Sequence, residues 1–195
     1  MSVISVKIGL LGNSSVGKTS LIRRFVEKKF DDNFMSTIGV DYFEKELVIK
    51  NEKIKIVIQD TSGEERFRSI AKSYYKNVDG IIFVFDVTNI ESFKEGIKYW
   101  LTECDNEIKK YKKILVGNKI DLKDLNRINK EAMEKFAQNK GMKCFETSAK
   151  EGTNVDIIFQ ELAELILMDL PKQNDDKNKK LGDNNKLKNK NKDCC

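Results

Sequence analysis

Histidine is absent from this 195-residue sequence, proline and tryptophan occur once each, and there are four cysteines. Cys104, Cys144, Cys194 and Cys195 lack the spacing of a zinc site, and no imidazole is available to complete one. Nor do they suggest a disulfide framework. No apolar run approaches the roughly 20 residues that cross a bilayer. Met1 to Val6 has no basic segment leading into a long apolar stretch, which argues against a secretory leader. The expected compartment is the reducing cytosol. Nucleic-acid binding would need a basic face with interleaved aromatic residues, and that is missing too.

What is present describes one folded domain. Hydrophobic residues make up 39% and charged residues 34%, ordinary proportions for a globular chain apart from abundant lysine and asparagine. The length suits a single core. The formal charge of +5 is uneven, because Lys172 to Cys195 carries eight lysines against four aspartates and leaves the preceding body near neutrality. Residues 1–170 are expected to form the domain and 171–195 a flexible Lys/Asn-rich tail, whose plainest reading is a solvated linker.

Along the body, strands alternate with helices. Val3 to Leu11 alternates and then runs apolar into a glycine-rich turn, after which Leu21, Ile22, Phe25 and Val26 give Lys18 to Val26 a helical period. Phe43 to Ile49 and Ile54 to Ile58 alternate across Lys50-Asn51-Glu52-Lys53 and read as a hairpin. Ile81 to Phe85 is apolar on both faces, as a central strand covered on both sides would be, and Lys113 to Val116 is a shorter version. Ser92 to Tyr111 and Asn129 to Lys140 predict helices, the second ended by Gly141, and Lys143 to Glu146 a last strand. Asn154 can cap a final amphipathic helix over Val155 to Ile166. The fold class is α/β, a six-stranded, mostly parallel sheet with one antiparallel strand and helices on both faces. Its site should lie at the C-terminal ends of the strands.

Four motifs fall at those ends. Gly12-Asn13-Ser14-Ser15-Val16-Gly17-Lys18-Thr19 matches G-x-x-x-x-G-K-[ST] directly after a strand and at the start of a helix, the context in which backbone N–H groups, helix dipole and Lys18 cradle phosphates. A hydroxyl from Thr19 with phosphate oxygens suits Mg²⁺. Standing alone the match could be a chance Gly-Lys-Thr turn. Asn118-Lys119-Ile120-Asp121 follows a strand; Asp121 can accept from the N1–H and N2–H₂ donors of guanine, a pair that adenine lacks. Asn118 can meet the O6/N7 edge, the Lys119 stem can cover a ring face, and the Ala149 N–H within Ser148-Ala149-Lys150 can donate to O6. Asp60 can hold a Mg²⁺-bound water, the Gly63 N–H can reach the γ-phosphate, and Thr37 can add a second hydroxyl to the metal. Loss of the γ-phosphate would release both segments, an order–disorder switch.

Together these residues resemble the Ras superfamily of small GTPases, and within it the Rab family, from about Lys7 to Cys195. Ile38-Gly39-Val40-Asp41-Tyr42, Arg66-Phe67-Arg68-Ser69-Ile70, Ser73-Tyr74-Tyr75 and Phe85-Asp86-Val87-Thr88 are similar to the segments that distinguish Rabs. The resemblance implies a P-loop small GTPase fold with residues 1–170 as the GTP-binding domain. It implies GTP/GDP and Mg²⁺ as ligands, with Ser14, Ser15, Val16, Gly17, Lys18, Thr19, Ser20, Phe30, Thr37, Gly63, Asn118, Lys119, Asp121, Ser148, Ala149 and Lys150 on the nucleotide. Thr19, Thr37 and Asp60 would serve the metal, and Lys18, Gly63 and position 64 the hydrolysis. Phe30 should pack on the guanine. The implied partners are effectors, an exchange factor, a GTPase-activating protein, a GDP-dissociation inhibitor and the prenylation machinery, acting on a monomer.

Two positions depart from the family. Glu64 stands where a glutamine usually orients the attacking water; an anion there repels the γ-phosphate and lacks the amide donor, so slow intrinsic hydrolysis is expected. The alternative is that an activating partner supplies both an arginine and a glutamine. Gln59 stands where Rabs usually carry a tryptophan that joins Tyr42 and Tyr74 in an effector surface, so an unusual effector set is expected. Cys194-Cys195 ends the chain without the cysteine-first pattern of a CaaX signal. Rabs commonly carry a geranylgeranyl chain on each such cysteine. Two chains beside a lysine-rich segment suit stable anchoring on the cytoplasmic face of an endomembrane; the alternative is a disordered end with free thiols. Three functions stand open: a GTP-hydrolysing trafficking switch, a GTP-binding scaffold that hardly hydrolyses, and an ATP-dependent phosphotransferase, which Asp121 disfavours.

Overall fold

In the computed structural model, residues 3–32, 37, 39–61, 74–123 and 127–170 are described. Six strands form one sheet: β1 (Ile4–Leu11), β2 (Val40–Ile49), β3 (Glu52–Thr61), β4 (Gly80–Asp86), β5 (Lys112–Asn118) and β6 (Lys143–Glu146). Their order is β2-β3-β1-β4-β5-β6, with β2 antiparallel to β3 and every other pairing parallel. Among the described residues the helices are α1 (Lys18–Glu27), α2 (Lys98–Glu107), α3 (Lys130–Asn139) and α4 (Val155–Asp169). This is the α/β architecture expected from the alternation of periods.

Alternation in the strands splits the core in two. Ile8, Leu10, Ile82, Val84, Ile114 and Val116 meet Leu21, Ile22 and Phe25 of α1 and Ile158, Phe159 and Leu162 of α4, where the Phe25 and Phe159 rings stack 4.1 Å apart. The intervening Ile81, Phe83, Phe85 and Leu115 meet Ile97, Trp100 and Leu101, and Met133 of α3. All seven residues of β4 are buried, because a central strand with helices over both faces has no solvent side.

The differences from expectation are local. The hairpin turn is narrower than the four residues suggested, since Lys50 and Asn51 both take left-handed φ (51° and 66°), the pair of conformations that a tight two-residue connection needs. β3 correspondingly starts two residues earlier, at Glu52, while β2 ends at Ile49 as expected. The helix expected over Ser92 to Tyr111 begins as a π-helical turn, Ser92–Ile97, and α2 stops at Glu107. There the Ile108 N–H donates to the Cys104 carbonyl and the chain extends towards β5. Asn129, expected as the start of the helix, is its cap, accepting from the Glu131 N–H. Asn154 does not cap α4 with its side chain, because it sits at φ 57° and its amide donates to the Glu146 carbonyl at 2.9 Å. It braces the end of β6 instead. Cys104 and Cys144 are free thiols, and burial first of all pushes them up to about 12 and about 11. They are packing residues, as expected. The tail lies outside the described residues.

Candidate functional site

At the C-terminal edge the sheet order changes direction around β1, whose neighbours are β3 and β4, and the chain leaving β1 there opens a crevice. A cleft of about 330 Å³ fills it, lined among others by Ser14, Ser15, Gly17, Lys18, Thr19, Ser20, Phe30, Thr37, Asn118, Lys119, Asp121, Ala149 and Lys150. Almost every residue assigned to the nucleotide from the motifs that the structure describes therefore lines one cavity; Val16 and Ser148 are buried behind it. Gly63 and Glu64 lie outside the described residues.

Two glycines make the loop possible. A Cβ on Gly12 would stand 2.1 Å from the Val84 carbonyl oxygen, and one on Gly17, at φ 96°, would stand 2.4 Å from Asn118 Nδ2. No other residue lets the backbone pass so close. Lys18 is buried and its ammonium donates to the carbonyls of Gly12 and Asn13, each at 2.9 Å. Burial lowers its pKa to about 8, partly opposed by the charge of Asp60. A phosphate beside it would restore the charged form.

Below Lys18, three oxygen groups converge from three elements. Thr19 Oγ1 donates to Asp60 Oδ2 at 2.5 Å and lies 2.9 Å from Thr37 Oγ1, which is itself 3.5 Å from Asp60 Oδ2. Asp60 Oδ1 is buried without a partner, and burial first of all raises the pKa of this carboxyl. An orphaned carboxylate oxygen beside two hydroxyls is an all-oxygen donor set, which suits a hard cation such as Mg²⁺ and disfavours zinc.

Over the base side, Asn118 is 1% exposed and fully engaged. Its Nδ2 donates to the Val16 carbonyl at 3.0 Å, and its Oδ1 accepts from Thr147 Oγ1 and the Ala149 N–H, both at 3.2 Å. The role expected of Asn118 was contact with the base edge; the geometry adds that of a brace between the phosphate loop and the β6 loop. The Ala149 N–H can reach a guanine O6 only by sharing or leaving its long bond to Asn118. Ser148 Oγ donates to Asp121 Oδ1 at 2.6 Å and accepts from the Glu151 N–H at 2.9 Å, which aims the carboxylate.

With that geometry in view, the sequence can be set beside known proteins. A family model described as Ras family matches residues 7–168. Ras-related protein Rab-10 of Caenorhabditis elegans is 41% identical over 174 residues, covering 89% of this chain and 86% of that protein. Ras-related protein Rab-13 of Canis lupus familiaris is 42% identical over 83% of this chain and 80% of its own, and GTP-binding protein YPT1 of Saccharomyces cerevisiae 43% over 86% and 82%. The chain belongs to the Ras family and, within it, to the Rab small GTPases. As a Rab it binds guanine nucleotide and hydrolyses GTP. Among the described residues no helix is long and apolar enough to cross a membrane.

The motifs did not reveal what holds Lys119 in place. In this Rab, Lys119 takes a left-handed φ of 71° and its ammonium pairs with Asp86 Oδ2 at 2.7 Å. Asp86 Oδ1 accepts from the N–H and hydroxyl of Thr88 at 2.8 and 2.7 Å. Burial pushes the Asp86 carboxyl up, but the bonds from Lys119 and Thr88 outweigh it and leave the pKa below the ordinary value. Asp86 ends β4 directly opposite Asn118 of β5, the residue before Lys119, so only the sheet brings it to the motif. Asp86→Ala should free the Lys119 stem and speed GDP release about tenfold, equivalent to about 1.4 kcal/mol, read by displacement of a fluorescent GDP. An unchanged rate would remove the role.

Proposed function

We propose that this Rab is a GTP/GDP switch that recruits effectors to a membrane in vesicle traffic, with residues 1–170 as the nucleotide-binding domain and 171–195 as its tether. The observation that carries this is the meeting of Thr19, Thr37 and Asp60. Thr37 lies in the segment between α1 and β2, outside regular structure, yet its hydroxyl reaches the same point as a buried carboxylate and the first turn of α1. A contact made through the Thr37 hydroxyl can be released there.

The residues divide the work. The N–H groups of the phosphate loop and Lys18 hold the phosphates, and Asp121, with Asn118, Lys119 and Ala149, selects guanine. Phe30 packs on the base. Thr19 and Thr37 would hold Mg²⁺, with Asp60 holding a water bound to it, and the cation would supply positive charge against that of the phosphates. The role of sensing the γ-phosphate falls to Gly63, and that of facing the attacking water to Glu64. Its carboxylate can accept from the water but cannot donate, and its charge opposes the charge of the γ-phosphate.

Gln59 bears on effector choice. It is buried opposite Tyr42 in the β2–β3 register with Oε1 unpartnered, while the Tyr42 and Tyr74 rings meet edge to face with centroids 6.3 Å apart. The aromatic contact therefore survives without a tryptophan, over a buried amide that leaves the patch more polar. At the far end, Cys194 and Cys195 each take a prenyl chain. An exchange factor, an activating protein, a GDP-dissociation inhibitor and the prenylation machinery serve the cycle.

Single-turnover GTP hydrolysis tests the switch. Glu64→Gln should raise the intrinsic rate several-fold above the wild type, and a Rab-directed activating protein should accelerate both. A wild type that keeps its GTP even with the activator would favour the scaffold instead. Gln59→Trp should strengthen binding of ordinary Rab effectors severalfold in a pull-down panel, and equal binding by both proteins would count against the effector reading. Mass spectrometry of the chain from its own cells should find two geranylgeranyl groups on the last two residues; finding neither would withdraw the tether.

A further inference from the structure

Arg24 stands on α1 with its guanidinium turned away from the phosphates and towards the base side. Nε donates to the Ala149 carbonyl at 2.8 Å, Nη2 to the Lys150 carbonyl at 2.6 Å and Nη1 to the Lys28 carbonyl at 3.1 Å. Its Cζ also lies 5.9 Å from the centroid of the Phe30 ring. Each nitrogen thus reaches a different carbonyl. A planar fork with donors in fixed directions can do this, whereas a lysine ammonium on a flexible stem cannot hold the same three-way geometry.

The acceptors matter as much as the donor. The Ala149 carbonyl belongs to the residue whose N–H faces the purine 6-position, and the Lys150 carbonyl fixes the next peptide. Among the described residues the same N–H is held by the 3.2 Å bond to Asn118. The Lys28 carbonyl lies where α1 ends with a left-handed residue, just before Phe30. One guanidinium therefore anchors, across about 125 residues of sequence, the loop that meets the base edge and the segment carrying the ring that covers it.

We propose that Arg24 is a positioning residue for guanine recognition, holding Ala149-Lys150 and Phe30 so that discrimination at the purine 6-position depends on a side chain that never touches the base. The inference rests on the base-reading role of Ala149 proposed above. It also links the two ends of the nucleotide, since α1 begins at the phosphate loop and carries the residue that sets the base loop.

The test compares release of GDP and of 6-thio-GDP, which keeps the N1–H and N2 donors facing Asp121 and changes only the 6-position acceptor. Each rate is measured for the wild type, Arg24→Ala and Arg24→Lys at saturating Mg²⁺. The wild type should hold GDP about tenfold longer than the thio analogue, the effect of one hydrogen bond. In Arg24→Ala both nucleotides should leave faster and the preference should fall to about twofold, with Arg24→Lys between. The preference is a ratio within one protein, so a general loss of stability cancels. Should Arg24→Ala fail to fold, a reduced ratio in Arg24→Lys carries the same meaning. A ratio equal to the wild type in both variants overturns the assignment, even if both nucleotides leave faster. A wild type with no preference overturns the base reading at Ala149 itself.

Discussion

The Asn118 amide is the joint on which the site depends. It ends β5, beside the outermost strand β6, gives an N–H to the Val16 carbonyl of the phosphate loop, and takes the Thr147 hydroxyl and the Ala149 N–H on its oxygen. Phosphate loop, base motif and β6 loop are thus tied through one buried side chain. The joint is possible because Gly17 has no Cβ: the amide nitrogen lies where that carbon would be. A glycine chosen for the phosphate and an asparagine chosen for the base are two halves of one contact. A side chain at position 17 would displace the Asn118 amide from its partners, and a buried amide that loses a partner carries the whole desolvation penalty.

Around this joint the supports act from behind. Asp86 holds Lys119, Ser148 holds Asp121, and Arg24 holds the backbone of Ala149 and Lys150. None of these supports needs to touch a ligand to set its shape. Recognition groups fixed before binding lose less freedom when they bind, and that is how a cleft built largely from loops can be selective.

Much of this was legible in the sequence, for a physical reason. Apolar periods are local, so the strands, the helices and the two-sided burial of β4 could be read from spacing, and the nucleotide motifs name themselves because their chemistry needs consecutive residues. The illegible part is what only the sheet assembles. Asp86 reaches Lys119 because β4 and β5 lie side by side, and Arg24 reaches Ala149 because α1 crosses behind the β6 loop. The one signal available was an arginine on an otherwise amphipathic helix that starts at the phosphate loop. Asn154 misled for the opposite reason. Its type and place suit a helix cap, but the αL backbone turned its amide towards β6.

Burial of opposite charges then explains why the cleft is built for a charged ligand. Lys18 and Asp60 are both almost wholly removed from water, and in each the dominant influence is desolvation, which lowers the one pKa and raises the other. Placed there for folding alone, such a pair would be a poor bargain beside apolar residues of the same size. A polyphosphate beside Lys18 and a divalent cation beside Asp60 would supply the charges that each lacks, so that their binding would offset a cost the fold already carries. Because only the native state presents this pair, a bound nucleotide with its cation would stabilise the fold, more so the more tightly it binds. The stability of the fold and the occupancy of the cleft are therefore linked, and the joint at Asn118 serves both.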